Sequence, residues 1–381
     1  MTEPKFDTTE TAAASYAMLR EIYEQPQVLA DTIEHYVPGG ASTAEIFQPV
    51  AEAFGRRERL VIAASGSSRH AGLAGEIMIE DLAGIPVDVE YASEYTYRST
   101  HALLNPGVLV ISQSGETADT LAALREANTR GLATVAVTNN AHSSMAVEAS
   151  ASLPTFAGIE KAIPATKSFT TQMAVLYSLA LHLARLRGRM TLQTAEAHGR
   201  LLREIPGLME AALPRWQKQV EALAPELVNS SALLYLGRGA HYAIAREGAL
   251  KLKESAYLNA EGYPAGELKH GPNALVSKDA PLVMIATADA NDPDSLLRYS
   301  KVVQLMKEMQ AQGAKIIALA TEGDQEVPHY SDSCLFVPAS NDLLSTILEV
   351  VPLQLLAYTL AISRGIDVDR PRNLVKAVVE E

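Results

Sequence analysis

The chain has 381 residues, 48% of them hydrophobic and 20% charged, the balance of a folded globular protein long enough for two domains with separate cores. A formal net charge of −13 argues against a general nucleic-acid or anionic-membrane surface, so an anionic metabolite would need a local site. With one cysteine, Cys334, no internal disulfide can form; no apolar run reads as a membrane span, and the polar N-terminus lacks a signal-peptide core. The default class is a cytoplasmic α/β enzyme.

Residues 1–15, rich in Thr, Ala and charge, are expected to fray. Helices are predicted over 16–23 and 28–35, parted at Pro26, then a break at Gly39-Gly40 and a helix over 43–54. Strands are expected at 60–64, 86–91, 108–111 and 133–138, with 150–154 as an edge strand and helices between them. This alternation predicts a doubly wound parallel sheet. Ligands on such sheets bind beyond the carboxyl ends of the strands. Two hydroxyl-rich turns, Ser65-Gly66-Ser67-Ser68 and Ser112-Gln113-Ser114-Gly115-Glu116-Thr117, would both open there. Three hydroxyls in the second turn, set at a helix start with its free N–H groups, suit a phosphate held without a lysine. One hydroxyl would suffice for a simple helix cap, which favours the cradle over capping alone.

A long helix at 168–187 closes the first domain, taken as 46–190 after an N-terminal helical segment of 1–45. A helical connection, 191–227, is expected to be interrupted at Pro206 and Pro214. The pattern then restarts in a second domain, 228–365, with strands at 232–236, 281–286 and 315–320 and helices from 241, over 296–312 and over 347–363. Gly66, His70, Ala74 and Glu76 recur at the same spacing as Gly237, His241, Ala245 and Glu247, which predicts two similar halves. The second copy of the hydroxyl loop reads Ala286-Thr287-Ala288-Asp289, so a phosphate site is expected only in the first half.

The second half concentrates other chemistry. Glu247, Lys251 and Glu254 share one helix face, and the apolar residues around them argue against a purely solvated salt-bridged surface. The Gly- and Pro-rich run 262–272 is expected to be an irregular loop carrying Glu267 and His270, with His270 as a candidate for proton transfer. The tail, 366–381, mixes apolar residues with Arg, Asn and Lys376, a composition that suggests docking rather than free solvation.

Several long blocks in order resemble the sugar isomerase (SIS) family, specifically the isomerase half of glucosamine-6-phosphate synthase. They are Ser112 through Leu121, Thr166 through Gln172, Glu247 through Glu254, Gly266 through Pro272 and Asp367 through Lys376. The resemblance implies two tandem flavodoxin-like α/β/α subdomains and a sugar-phosphate substrate held by Ser112, Gln113, Ser114, Thr117 and Ser68. Ser67, Ala165 and Thr166 complete the implied binding set. It also implies that Lys376 forms a Schiff base with the open-chain ketose, that Glu254 moves the proton between the first two carbons with help from Lys251, and that His270 promotes ring opening in the other subunit of a homodimer. No cofactor and no metal are implied, and no His/Cys/Asp cluster has ligand spacing. The synthase carries a glutaminase with an N-terminal cysteine nucleophile; here residue 2 is Thr2 and the one cysteine is Cys334, so the chain is expected not to draw ammonia from glutamine by itself. The turn Ser65-Gly66-Ser67-Ser68 also departs from the family's Cys-Gly-Thr-Ser and blurs sugar specificity. The reading is an isomerase/deaminase interconverting glucosamine 6-phosphate and fructose 6-phosphate with ammonia. Its alternatives are an isomerase subunit served by a separate glutaminase, a deglycase for another phosphorylated ketosamine, and a non-catalytic sugar-phosphate sensor.

Overall fold

The structure, a computed structural model, describes residues 16–40, 45–98 and 105–378. The expected fraying of 1–15, the first residues of the helix predicted over 43–54 and the end of the tail lie outside the described residues.

The chain opens with α1 (Ala17–Tyr36) and α2 (Gln48–Phe54). The first half then runs β1 (Leu60–Ala64), α3 (Gly66–Ala83), β2 (Val87–Tyr91), α4 (Ala92–Tyr95), β3 (Gly107–Ser112), α5 (Ala118–Thr129), β4 (Ala133–Thr138), α6 (Ser144–Glu148) and β5 (Ala151–Pro154). Two long helices, α7 (Lys167–Leu186) and α8 (Leu192–Leu227), lead to the second half. It comprises β6 (Ala232–Gly237), α9 (His241–Ala256), β7 (Asn259–Pro264), β8 (Leu282–Ala286), α10 (Pro293–Ala311), β9 (Ile316–Thr321), β10 (Ser333–Val337) and α11 (Asp342–Ser363).

Each half is one five-stranded parallel sheet, ordered β2-β1-β3-β4-β5 and β10-β9-β8-β6-β7, the same winding twice. The central strands are apolar on both faces because helices cover both. Alternation along each strand sorts the faces: Ile62, Leu109, Ile111 and Val135 point into one core, while Val61, Ala63, Val108 and Val110 point into another. In the second sheet Tyr235, Val283, Ile285 and Ile317 join that same first core, and Leu234, Leu236, Met284 and Ala318 form a third. Separate domain cores were expected. Instead the inner faces of both sheets bury into one continuous cluster that also takes residues from α1, α3, α7, α8, α9 and α11.

Proline placement gave the largest errors of expectation. α1 continues through Pro26, and α8 continues through Pro206, Pro214 and Pro225 over 36 residues. A proline inside a helix costs about 3 kcal/mol, but each fully buried large apolar side chain contributes about 1.5–3 kcal/mol. The buried face of α8 carries Leu202, Ile205, Met209, Leu213, Trp216, Val220 and Leu223, which outweighs the breaks. The run 262–272 is also less irregular than expected: Gly262–Pro264 complete β7, paired in register with β6, and Ala265–His270 form a 3-10 helix. β10 was not anticipated. α11 begins at Asp342 and is long and apolar enough to cross a membrane by length and composition, contrary to expectation, but 94% of its most apolar window is buried inside the molecule.

Candidate active site

In the first sheet the winding reverses between β1 and β3, which places a crevice beyond their carboxyl ends. A cavity of about 290 Å³ lies there, lined by the turn 65–68, by Ser112, Gln113, Ser114 and Thr117, and by Glu160, Glu254 and the tail segment Leu374–Val378.

The hydroxyls after β3 are not spent on capping. Thr117, the N-cap of α5, makes no side-chain cap hydrogen bond. Its hydroxyl lies 2.9 Å from that of Ser112, which accepts the Gly115 N–H at 3.1 Å, while Ser114 Oγ accepts the Glu116 N–H at 3.1 Å. The result is a concave, neutral set of donors at a helix start. Gly115 is required for this turn: its φ is +71°, and a Cβ would collide with the Ser143 side chain. Ser68 Oγ, from the neighbouring turn, accepts from Gln172 Nε2 at 3.0 Å, which leaves its own proton free to donate.

Behind the cavity runs a chain of buried charge. His70 Nδ1 lies 2.7 Å from Glu247 Oε2, Glu247 Oε1 accepts from Ser67 Oγ at 2.8 Å, and Lys251 Nζ reaches Ser67 Oγ at 3.0 Å, Glu247 at 3.3 Å and Glu254 at 2.6 Å. Burial pushes the Glu247 carboxyl up, but Lys251, His70 and Ser67 outweigh it and hold it below the usual carboxylate range. Burial likewise favours neutral Lys251, yet Glu247 and Glu254 overcome that and raise its pKa, so the amine stays charged. Glu254 is the charged member of this chain that faces the cavity, beside Ser67.

The tail supplies the opposite wall. Lys376 Nζ donates to Glu160 Oε2 and to the Ala162 carbonyl, each at 2.6 Å. Glu160 is held in turn by the N–H groups of Thr166 and Ser168 and by Ser168 Oγ at 2.7 Å. Burial works against its charge, but Lys376 and these donors keep its pKa below the ordinary value. The tail is anchored along its length. Val368 is buried, Asp369 accepts the Ala17 and Met18 N–H groups at the start of α1, Arg372 N–H donates to Tyr257 Oη at 2.7 Å, and the Val378 carbonyl accepts the Ala118 N–H at 2.9 Å.

Of the residues singled out in the sequence, Ser67, Ser68, Ser112, Gln113, Ser114, Thr117, Ala165, Glu254 and Lys376 face the cavity. Lys251 and Thr166 are fully buried behind it, Thr166 as the N-cap of α7. His270 is exposed at the end of its 3-10 helix and does not line the cavity. Sequence reasoning gave no role to Glu160 or His70, and singled out Glu247 only as sharing a helix face with Lys251 and Glu254. His70 and Glu247 were marked by the internal repeat, whereas Glu160 lies in an irregular segment with no periodic signal. Among the described residues no group of three or more His, Cys, Asp or Glu is placed to hold a metal ion.

The SIS domain pattern matches residues 54–182 and 226–364, one copy on each half. The chain belongs to the SIS family. It is 42% identical over 365 residues to glutamine–fructose-6-phosphate aminotransferase (isomerizing) of Gloeobacter violaceus, covering 96% of this chain and 58% of that protein. The chain thus spans less than two thirds of the length of such relatives. Among solved SIS structures it is similar to the C-terminal domain of glucosamine-fructose-6-phosphate aminotransferase from Francisella tularensis, with TM-score 0.87 and 33% identity over 96% of this chain and 100% of that one. A glucosamine-6-phosphate deaminase from Thermotoga maritima aligns with TM-score 0.73 and 26% identity over 95% and 99% of the two chains.

Proposed function

We propose that this SIS protein interconverts glucosamine 6-phosphate with fructose 6-phosphate and ammonia, as an isomerase/deaminase. The observation that carries the reading is the convergence of Glu254 and Lys376, from α9 and from the tail, on the cavity that also holds the hydroxyl loop. The sugar phosphate would sit on Ser112, Ser114, Thr117 and Ser68. In the synthetic direction the C2 carbonyl of open-chain fructose 6-phosphate would condense with Lys376 once its amine has lost a proton, releasing water, and ammonia would displace the lysine amine from C2 before the proton shift. Deamination runs these steps in reverse, water finally freeing Lys376. Glu160, held anionic 2.6 Å away, would stabilise the cationic imine. Glu254 would take the proton from one of the first two sugar carbons and return it to the other, which one carboxylate can do for adjacent carbons. Lys251, kept charged behind it, would fix the Glu254 carboxylate. Ring opening would fall to His270 from a second copy, which makes a homodimer part of the proposal, since His270 does not reach the cavity of its own chain.

Incubation with glucosamine 6-phosphate should release ammonia and fructose 6-phosphate in equal amounts, and Glu254→Gln should reduce turnover by at least about 10²-fold. A wild-type protein that binds fructose 6-phosphate in calorimetry yet turns nothing over would overturn the deaminase and move weight to a sensor or another ketosamine. A second reading, favoured by the glutamine-dependent name of the Gloeobacter relative, keeps this site but takes nitrogen from a separate glutaminase. Synthesis that proceeds with glutamine and an added glutaminase but not with ammonium salts would select it.

A further inference from the structure

A second cleft lies between the two halves on the other side of Gly66, with a volume of about 440 Å³. Its walls come from α3, the end of β2, α9 and β7. Its polar lining is dominated by cations: Arg69, Arg246 and Lys253, with His70 at its inner edge, against the single carboxylate Glu261. In a chain of net charge −13 this is an inversion of the surrounding field.

The arginines are bracketed on one aromatic ring. The Arg69 guanidinium lies 3.7 Å from the Tyr91 ring centroid, and Arg246 donates to Tyr91 Oη at 3.2 Å and to Tyr242 Oη at 2.9 Å. Arg69 is only 9% exposed, and its Nε and Nη1 have no hydrogen-bond partner. Its one contact from Nη2, to the Val89 carbonyl, is long at 3.4 Å. Among the described residues no carboxylate forms an ion pair with Arg69, Arg246 or Lys253. Glu76, the acid nearest in effect to Arg69, is a weak counter-charge, because burial with Glu80 and Asp88 nearby pushes it up to about 7. Buried guanidinium nitrogens without partners are costly, and here two arginines also repel one another.

We propose that this cleft is a second ligand site, for a small phosphomonoester or comparable dianion. Arg69, Arg246 and Lys253 would supply the charge and the hydroxyls of Tyr91 and Tyr242 further donors. Tyr91 Oη accepts from Arg246, so its proton is available to the ligand. The site is distinct from the hydroxyl cradle: it uses cations rather than neutral donors, and the Gly66 turn separates the two. The inference does not depend on which reaction the cradle serves.

The test is phosphorus NMR titration of the full chain with inorganic phosphate, first in a Ser114→Ala/Thr117→Ala background that weakens the cradle. That protein should still bind one phosphate per chain, and adding Arg246→Gln should weaken the binding at least about tenfold, the loss of one charged hydrogen bond. Lys253→Gln, at an exposed position with little consequence for folding, should give a smaller loss in the same direction. Loss of all phosphate binding in the Ser114→Ala/Thr117→Ala protein, or unchanged affinity on adding both Arg246→Gln and Lys253→Gln, would overturn the proposal. So would a change of sedimentation from dimer to monomer in Arg246→Gln with phosphate binding intact, because carboxylates of a second copy would then be the counter-charge.

Discussion

The two halves share one winding and differ in what occupies the crevice between their central strands. In the first half, between β1 and β3, neutral hydroxyls face an open cavity. In the second, at the ends of β6 and β8, the protein's own carboxylates fill the corresponding place. Glu349, from α11, accepts from Thr287 Oγ1 at 2.5 Å and pairs with His241 Nδ1 at 2.9 Å. Asp342 accepts from Ser295 Oγ and pairs with Arg298 Nη2 at 2.6 Å. The helix after the first strand carries a histidine in each half, and each histidine is held by a glutamate from a later helix, His70 by Glu247 and His241 by Glu349. One fold has therefore been used in two ways. Where the anion is built in, the crevice is structural; where it is left out, the crevice can take a ligand.

Changes confined to one half should separate chemistry from stability. Lys376→Met should cost more than about 10³-fold in kcat for the proposed reaction, a barrier increase of about 4 kcal/mol, with a modest fall in the thermal midpoint, since buried Glu160 loses its counter-charge but keeps the Thr166 and Ser168 donors. Steady-state kinetics beside calorimetry would check both. A large fall in the midpoint would mean that the Lys376–Glu160 pair is architectural. Glu349→Leu should do the reverse. Stranding buried His241 without its main partner should cost about 3–5 kcal/mol in urea unfolding and leave the affinity for fructose 6-phosphate within about threefold.

The same half should respond to pH. Burial alone would lower the pKa of His241, but Glu349 and Asp342 outweigh it and push it up to about 10 from 6.5. A pKa raised on folding contributes stability fully below about pH 6.5, and that contribution is lost as pH rises through about 10. The urea midpoint of the wild type should therefore fall between pH 7 and pH 10, and His241→Gln should flatten that slope. A profile equally steep in His241→Gln would assign the loss to other groups. The smallest effect should come from Ser114→Ala, which removes one neutral hydroxyl from the cradle. It should weaken fructose 6-phosphate binding by about 1 kcal/mol, roughly fivefold, without moving the thermal midpoint.

The winding of both sheets and most cavity-facing residues were legible because they rest on short local signals. An apolar β-branched strand followed by a hydroxyl turn announces itself in ten residues, and the repeat of Gly66 and His70 as Gly237 and His241 gives the second half. Where the outcome depended on distant partners, local signals misled. Pro206 and Pro214 read as breaks because nothing near them in sequence shows that Trp216 and Leu213 will be buried against other helices. β7 and β10 are edge strands with little apolar alternation, and their order comes from pairing with β6 and β9. Glu160 takes its place on the cavity wall through Lys376, 216 residues away, so no pattern around it could mark it.

The anchoring of the tail by Asp369 on α1 has a consequence for the order in which the molecule is made. A nascent chain that has emerged as far as Ser363 already contains both sheets, the hydroxyl loop and the paired Glu247, Lys251 and Glu254. It lacks Lys376, and the amides of Ala17 and Met18 at the first described helix still await the aspartate that caps them. One late segment thus caps the first described helix and brings Lys376 to the cavity in the same event, so that during synthesis this amine arrives only after the pocket that receives it.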